Sequence, residues 1–252
     1  MQIMRHVLWG SVFCVNALLL GFFKGSVAID TEVYDRGCEI GKRSLSTFCE
    51  GGIRGDRLGI YGNLEGHVPL RGRDIFKNRW IFSGGLLRKL TPHFTFDVGG
   101  RHTVLQHDNS ALCNQWFEMY AGVRSDLLMT PQIYLFLDKK HKQWCVECRW
   151  GYDFDLSIFD FKRLKLSWNN KIGFLEAKRP YGHHGNELNR RYHYKYVEMN
   201  FWLKKEVEKL GHFYCGPTFV YNTGGTQPWT IVNAKTYRSH FCGLNFGFSL
   251  EF

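Results

Sequence analysis

Beyond its first thirty residues, the sequence lacks any apolar run near the roughly 20 residues that a membrane-spanning helix needs. It has only 6 Pro in 252 residues, and it contains no Gly-x-Ser-x-Gly motif of the kind that carries the nucleophile in many hydrolases. No convincing amphipathic helix is present either, since Glu206 to Leu210 is too short to count. The first absence excludes a helical-bundle membrane protein.

The composition is that of a folded chain. Aromatic residues make up 16% of it and charged residues 22%, which does not suit a disordered protein. The mean hydropathy of −0.30 is compatible with a membrane β-barrel, because alternating strands average to a neutral value. The formal net charge is +10.

The N-terminus has the features of an export signal. Arg5 and His6 precede the apolar stretch from Val7 to Phe23, and Ser26-Val27-Ala28 places small residues where signal peptidase reads them. We therefore expect a signal peptide over residues 1–28, cleaved after Ala28, and one barrel domain over residues 29–252. The alternative is an uncleaved anchor helix, against which Asn16 and Lys24 interrupt the run.

The rest of the chain alternates with a period of two residues. From Gln143 to Leu156, even-numbered positions such as Trp144 and Phe154 are apolar, whereas most odd-numbered positions are polar or charged. Ten strands are predicted in this way: 57–68, 80–90, 94–105, 115–127, 132–138, 143–156, 163–175, 193–205, 213–221 and 238–252. Ser44 to Glu50 and Val33 to Gly37 are candidates for two more. Since bacterial barrels have even strand numbers, we expect twelve, with ten as the alternative.

The connections between these strands alternate between short and long. Short ones include 90–92 and 129–131, and longer polar ones include 71–78, 106–114, 178–191 and 222–237. Transmembrane barrels have short periplasmic turns and longer outer loops. The fold class predicted is therefore all-β, a closed antiparallel up-and-down transmembrane barrel.

The last ten residues alternate and end in an aromatic residue, with Phe246, Phe248, Leu250 and Phe252 on one face. This resembles the C-terminal β-signal of bacterial outer-membrane β-barrel proteins. The resemblance implies location in the bacterial outer membrane, contact with its lipid, and recognition of the final strand by the barrel-assembly machinery. The length and the Thr-Pro turns loosely resemble small porins of the TorF type. The function implied is a porin-like channel for passive diffusion of small solutes, without a cofactor.

The polar faces of the strands would then line the lumen. Acids and bases are nearly balanced there, so the charges either leave a wet pore or pair across it and close it. A closed lumen would suit a structural or adhesion barrel instead. The lumen-lining candidates are Glu65, Asp97, Arg101, Glu118, Arg124, Glu147, Arg149, Asp153, Asp155, Arg163, Lys165 and Glu198.

An outer-membrane hydrolase is the less favoured alternative, and we predict no enzyme. Its candidate residues, His107 to Ser110, His183-His184 and Ser239-His240, match no motif. We expect no metal site, because Cys145 and Cys148 would point to opposite faces of one strand. A nucleic-acid partner is not expected for an exported chain. Among the cysteines, only Cys38 and Cys49 are close enough in sequence to suggest a disulfide.

Overall fold

The computed structural model describes residues 21–36, 38–70, 78–106, 113–140, 142–156, 163–177, 192–207, 211–223 and 240–251. Twelve strands account for nearly all of them. They are β1 (Phe22–Asp35), β2 (Cys38–Arg54), β3 (Leu58–Pro69), β4 (Asn78–Lys89), β5 (Phe94–Gln106), β6 (Cys113–Ser125), β7 (Gln132–Asp138), β8 (Gln143–Asp155), β9 (Leu164–Ala177), β10 (Tyr192–Val207), β11 (Gly211–Asn222) and β12 (His240–Glu251).

These strands form one closed antiparallel barrel in which each strand pairs with its neighbours in sequence and β1 pairs with β12. The predicted fold class and the strand number of twelve are confirmed. β7 has the predicted bounds, and β8 ends one residue before the predicted end. Closure satisfies the backbone hydrogen bonds of the terminal strands, which an open sheet would leave at its edges.

The side chains alternate between an apolar exterior and a polar interior. On β7, Ile133, Leu135 and Leu137 are exposed, whereas Tyr134 and Phe136 are buried inside the barrel. The outward side chains of the other strands are also apolar and exposed, among them Leu86, Phe117, Met119, Ile172, Leu244 and Phe246. A soluble barrel would bury such a set, and a transmembrane barrel places it against lipid. No helix in the described ranges is long and apolar enough to cross a membrane.

The two ends of the barrel differ in their connections. Since the strands alternate in direction, the segments 70–77, 107–112, 178–191 and 223–239 all join strands at one end. The shorter segments 55–57, 90–93, 126–131 and 208–210 lie at the other end, together with 156–163. The short turn over 139–142 lies at the end with the long connections, between β7 and β8.

The first strand overlaps the segment expected to be removed. β1 begins at Phe22, and five of its seven register pairs with β12 are made by Lys24 to Ala28. Cleavage after Ala28 would leave only Ile29 and Asp30 paired with β12. The expected processing site and the closing strand therefore compete for the same residues.

Candidate functional site

A polar cavity of about 550 Å³ occupies the interior of the barrel. Its charged lining comes from seven strands and includes both acids and bases. The lining acids are Glu50, Glu65, Asp97, Glu147 and Glu198, and the lining bases are Arg101, Arg124, Arg149 and Lys171. Five acids face four bases, so the cavity is balanced to within one formal charge.

Asp97 is the centre of the first charge cluster and is completely buried. Tyr61 and Tyr134 donate hydrogen bonds to its carboxylate at 2.9 and 2.7 Å, and Arg124 Nε donates to it at 2.8 Å. The hydroxyl groups of Tyr61 and Tyr120 lie 2.6 Å apart. The cluster joins β3, β5, β6 and β7, which makes it a brace along one side of the wall.

Glu147 is the centre of a second cluster on β8, β9 and β10. Arg149, which lies two residues further along the same strand, donates from its Nε to the Glu147 carboxylate at 2.5 Å. Tyr196 Oη donates to the other carboxylate oxygen. Lys171 pairs with Glu198 on the adjacent strand at 2.5 Å. Each of these ion pairs joins groups on one strand or on neighbouring strands, so they lie along the wall that borders the cavity.

Glycines make room for the aromatic rings of these clusters. A Cβ atom at Gly173 would lie 2.1 Å from the ring of Tyr196, and one at Gly122 would lie 2.4 Å from the ring of Tyr134. Both distances are far below ordinary carbon contacts. The tyrosine rings therefore lie flat against the neighbouring strand, and their hydroxyl groups reach the acids.

Among the described residues, one ion pair crosses the lumen. Arg36, in the turn after β1, donates to Glu118 on β6 at 2.6 and 3.0 Å in a bidentate pair, although β6 is four strands away from β2 around the barrel. Its guanidinium carbon also lies 4.8 Å from the ring centre of Phe136. Gln143 donates to the same carboxylate at 3.3 Å. This crossing narrows the lumen at the end that carries the long connections.

A third set of charges lies at the opposite rim. Lys204 donates to Asp153 at 3.2 Å, and Lys165 donates to Glu206 at 2.5 Å. Asp155 is directly opposite Lys165 in the β8–β9 register. Most of these side chains are partly exposed, so each pair is worth about 1 kcal/mol or less.

The structure distributes the twelve predicted lumen residues among these places. Those that line the cavity are Glu65, Asp97, Arg101, Arg124, Glu147, Arg149 and Glu198. Glu118 is buried where the Arg36 pair crosses the lumen. The rim with the short turns holds the other four, Asp153, Asp155, Arg163 and Lys165. There the Arg163 carbonyl accepts a hydrogen bond from the Glu206 amide at 3.0 Å. Sequence reasoning missed Arg36. It lay within the candidate strand Val33 to Gly37, but β1 ends at Asp35 and Arg36 is in the following turn, where alternation does not predict the direction of a side chain.

A serine, a histidine and an acid meet on the lumen side of β2 and β3. Ser46 Oγ lies 2.7 Å from His67 Nδ1, and His67 Nε2 lies 2.7 Å from Glu65. The same Ser46 hydroxyl donates to the carboxylate of Asp30. A carboxylate beside the hydroxyl would repel an oxyanion, and the flanking strands use the local backbone amides in their ladders. The geometry suits a hydrogen-bonded brace better than a nucleophile.

The other hydrolase candidates fall largely outside the described residues. This holds for His107 to Ser110, for His183 and His184 and for Ser239, while His240 is the first residue of β12. Within the described ranges, no group of three or more His, Cys, Asp or Glu side chains could hold a metal ion.

The cysteines require one correction. Cys38 and Cys49 both lie on β2, eleven residues apart, which is about 36 Å at the rise of a strand. A disulfide needs Cα atoms within about 7 Å, so the suggested pairing is wrong and Cys49 is a free thiol. Cys145 is buried inside the barrel, and Cys148 lies on the other face of β8, as the alternation predicts.

The last strand also follows the predicted alternation. Phe246 is exposed on the outer face, where it pairs with Ile29 on β1, and Phe248 pairs with Val27 in the same row. Leu250 continues this row at Gly25. Phe252, the terminal residue of the predicted assembly signal, lies outside the described residues.

Comparison with known proteins identifies the architecture. No family model matches the chain, and no curated protein matches its sequence. Among solved structures, the COG4313 outer membrane channel from Pseudomonas putida F1 is similar, with a TM-score of 0.52, 10% identity and coverage of 92% of this chain and 96% of that one. LpxR from Salmonella typhimurium has a TM-score of 0.51, 9% identity and coverage of 92% and 100%. At such low identity the likeness shows the fold alone, which is that of the outer-membrane barrels.

Proposed function

We propose that this outer-membrane β-barrel is a narrow channel through which small hydrophilic solutes diffuse passively. The observation that carries the proposal is the 550 Å³ cavity lined by acidic, basic and amide side chains. Charged groups of this kind are expensive to bury without water or partners. Nine acidic and basic side chains line this cavity, which is therefore suited to holding water and small polar solutes.

The proposal includes an orientation in the membrane. The apolar exterior contacts outer-membrane lipid, the end with the long connections faces outward, and the short turns face the periplasm. The final strand would engage the barrel-assembly machinery, as the resemblance of its alternating aromatic pattern implies.

Local pairing of the charges supports an open path through the middle of the barrel. The Asp97 and Glu147 clusters run along the wall. Among the ion pairs of the described residues, only that of Arg36 and Glu118 reaches across the lumen. That crossing is the expected constriction. It is also the one observation that favours the second candidate, a structural or adhesion barrel whose lumen is closed.

Selectivity should come from the mouths, because the cavity itself is nearly balanced in charge. Lys139, Lys140 and Lys142 are exposed at the outer end, and no acid lies in that turn. We expect a weak anion preference that added salt diminishes, since exposed charges are screened.

Planar-bilayer recordings test the channel. Wild-type protein should give small conductance steps, and Arg36→Ala should enlarge them because it removes the side chain that crosses the lumen. Arg43→Ala is the matched control, since Arg43 is an exposed arginine of β2 near the same end and shares a positive φ with Arg36. Inserted protein that gives no steps, either as wild type or as Arg36→Ala, would support the closed structural barrel instead.

A second recording tests the path at the periplasmic rim. Replacing Arg163 and Lys165 together by Gln should move the reversal potential in a salt gradient toward the cation. The basis is that Asp153 and Asp155 would keep their charge beside the path. An unchanged reversal potential would place these two residues away from the conducting path.

A further inference from the structure

The lipid-facing wall has a notch where β7 is too short to cover β6. The β6–β7 register begins at Met119 opposite Leu137, so the part of β6 from Cys113 to Glu118 has no register partner on β7. β6 and β7 share six register pairs. Adjacent strands share ten or more wherever the pair includes neither β7 nor the closing β1–β12 contact. The notch opens toward the end that carries the long connections.

A second cavity, also of about 550 Å³, lies at this notch. Its floor is apolar and is made by outward side chains of β6 and β7, namely Phe117, Met119 and Leu137. Each of these side chains is 44% to 54% exposed on the face that the barrel turns to lipid. The floor is therefore suited to an acyl chain lying against the wall.

The upper edge of the cavity is cationic. Lys139 and Lys140 lie in the turn after β7 and supply the charge, and His102 lines the cavity from β5. Lys140 Nζ donates to the Gln115 carbonyl at 3.4 Å across the notch, while Lys139 has no hydrogen bond or ion pair among the described residues. None of the described residues that line the cavity is acidic. Its cations are therefore uncompensated by any acid of the lining.

We propose that this notch binds a lipid with a phosphorylated headgroup from the outer leaflet. The acyl chain would lie on Phe117, Met119 and Leu137, and the phosphate would be held by Lys139 and Lys140. Ammonium groups at a membrane surface attract anionic lipid with about 1 kcal/mol each, and an apolar groove directly below them fixes where the chain must lie. The apolar floor lies on the lipid-facing exterior of the barrel, away from the lumen, whereas Lys139 and Lys140 also contribute to the charge of the outer mouth. The proposal rests on the membrane orientation proposed above.

Native mass spectrometry in maltoside detergent provides the test, with phosphatidic acid as the probe. Wild-type protein should retain one phosphatidic acid in preference to phosphatidylcholine of the same chains. The double variant Lys139→Gln and Lys140→Gln should weaken that binding about tenfold or more. The matched control is Arg88→Gln with Lys89→Gln, an exposed cationic pair at the opposite rim, which should leave the binding unchanged.

Two further measurements test the contributions of the acyl chain and of the phosphate separately. Leu137→Trp fills the groove and should lower lipid binding while both lysines remain. Excess inorganic phosphate should not displace the lipid, because it lacks the chain. Equal losses in the two double variants would mean nonspecific attraction, and full displacement by inorganic phosphate would mean an anion site without lipid. Either outcome overturns the proposal. Because the readout is lipid retention, it does not depend on whether the barrel conducts.

Discussion

The backbone ladder is short at three junctions of the barrel, and a buried aspartate spans two of them, the β1–β12 and β6–β7 junctions compared below. The third is β7–β8, with seven register pairs. β1 and β12 share seven register pairs, and β6 and β7 share six. At the first junction Asp30 of β1 accepts from Asn245 of β12 at 2.5 Å. At the second, Asp97 of β5 accepts from Arg124 of β6 and Tyr134 of β7. The same device, a carboxylate on the lumen side, joins strands whose backbone ladder is short.

The two junctions differ in what causes the short ladder and in the chemistry that compensates for it. The first joins the two ends of the chain, and its partners are a neutral amide and the Ser46 hydroxyl. The second lies in the middle of the chain, where a strand of seven residues stands between two of thirteen. There the acid meets a guanidinium. The comparison predicts that the first junction depends mainly on its backbone pairs and the second mainly on its charges.

The largest expected effect is at the closing junction. A chain that starts at Ile29 loses five of the seven pairs with β12, and it should fail to form a closed barrel on refolding in detergent. A chain that starts at Gly21 should refold and migrate faster unboiled than boiled on a denaturing gel. If the Ile29 chain refolds equally well, closure does not need the first half of β1.

The mass of the protein from membranes decides the related question of processing. We expect the mature chain to retain Phe22 to Ala28, because those residues pair with β12 in the closed barrel. A mass that corresponds to a chain beginning at Ile29 would instead support the cleavage site predicted from the sequence.

The next effect concerns the last residue of the chain. Deletion of Phe252 should reduce the amount of assembled barrel in cells severalfold, since the resemblance assigns the terminal aromatic to recognition by the assembly machinery. Refolding in detergent should be unaffected, because the seven described β1–β12 pairs all remain when Phe252 is deleted. Equal losses in cells and in detergent would mean that Phe252 stabilises the closing junction itself.

How far the sequence predicts these features depends on periodicity. The bounds of β7 and β8 and the inward direction of Asp97 and Glu147 follow from strict alternation. β1 was expected only from Val33, because its first residues continue the apolar run of the export signal. Partner identity could not be predicted, since Tyr61 reaches Asp97 across an intervening strand. That contact depends on the strand register and on the position of the Tyr61 ring, and the alternation of residues along a strand predicts neither.

The Asp97 cluster at the second junction, which includes an ion pair, should contribute more to the free energy of unfolding than the Asp30 contacts at the first, whose donors are neutral. Asp97→Asn removes the counter-charge of Arg124 and offers the donors of Tyr61 and Tyr134 one carbonyl oxygen in place of a carboxylate. We expect a loss of about 3 kcal/mol in the free energy of unfolding, at the lower end for a broken buried pair because Arg124 can reach water. Urea unfolding in lipid vesicles measures it, with Asp126→Asn in the exposed β6–β7 turn as the control.

The smallest effect is expected for Asp30→Asn at the closing junction. The new carbonyl can still accept from Asn245, and the new amide can donate to Ser46 while the Ser46 hydroxyl turns to His67 Nδ1, 2.7 Å away. The variant replaces hydrogen bonds to a carboxylate by hydrogen bonds to a neutral amide, which leaves a loss of about 1 kcal/mol. The same urea titration measures it beside the Asp97 variant. A loss equal to that of Asp97→Asn would mean that both junctions depend on charge, and the contrast drawn between them would then be wrong.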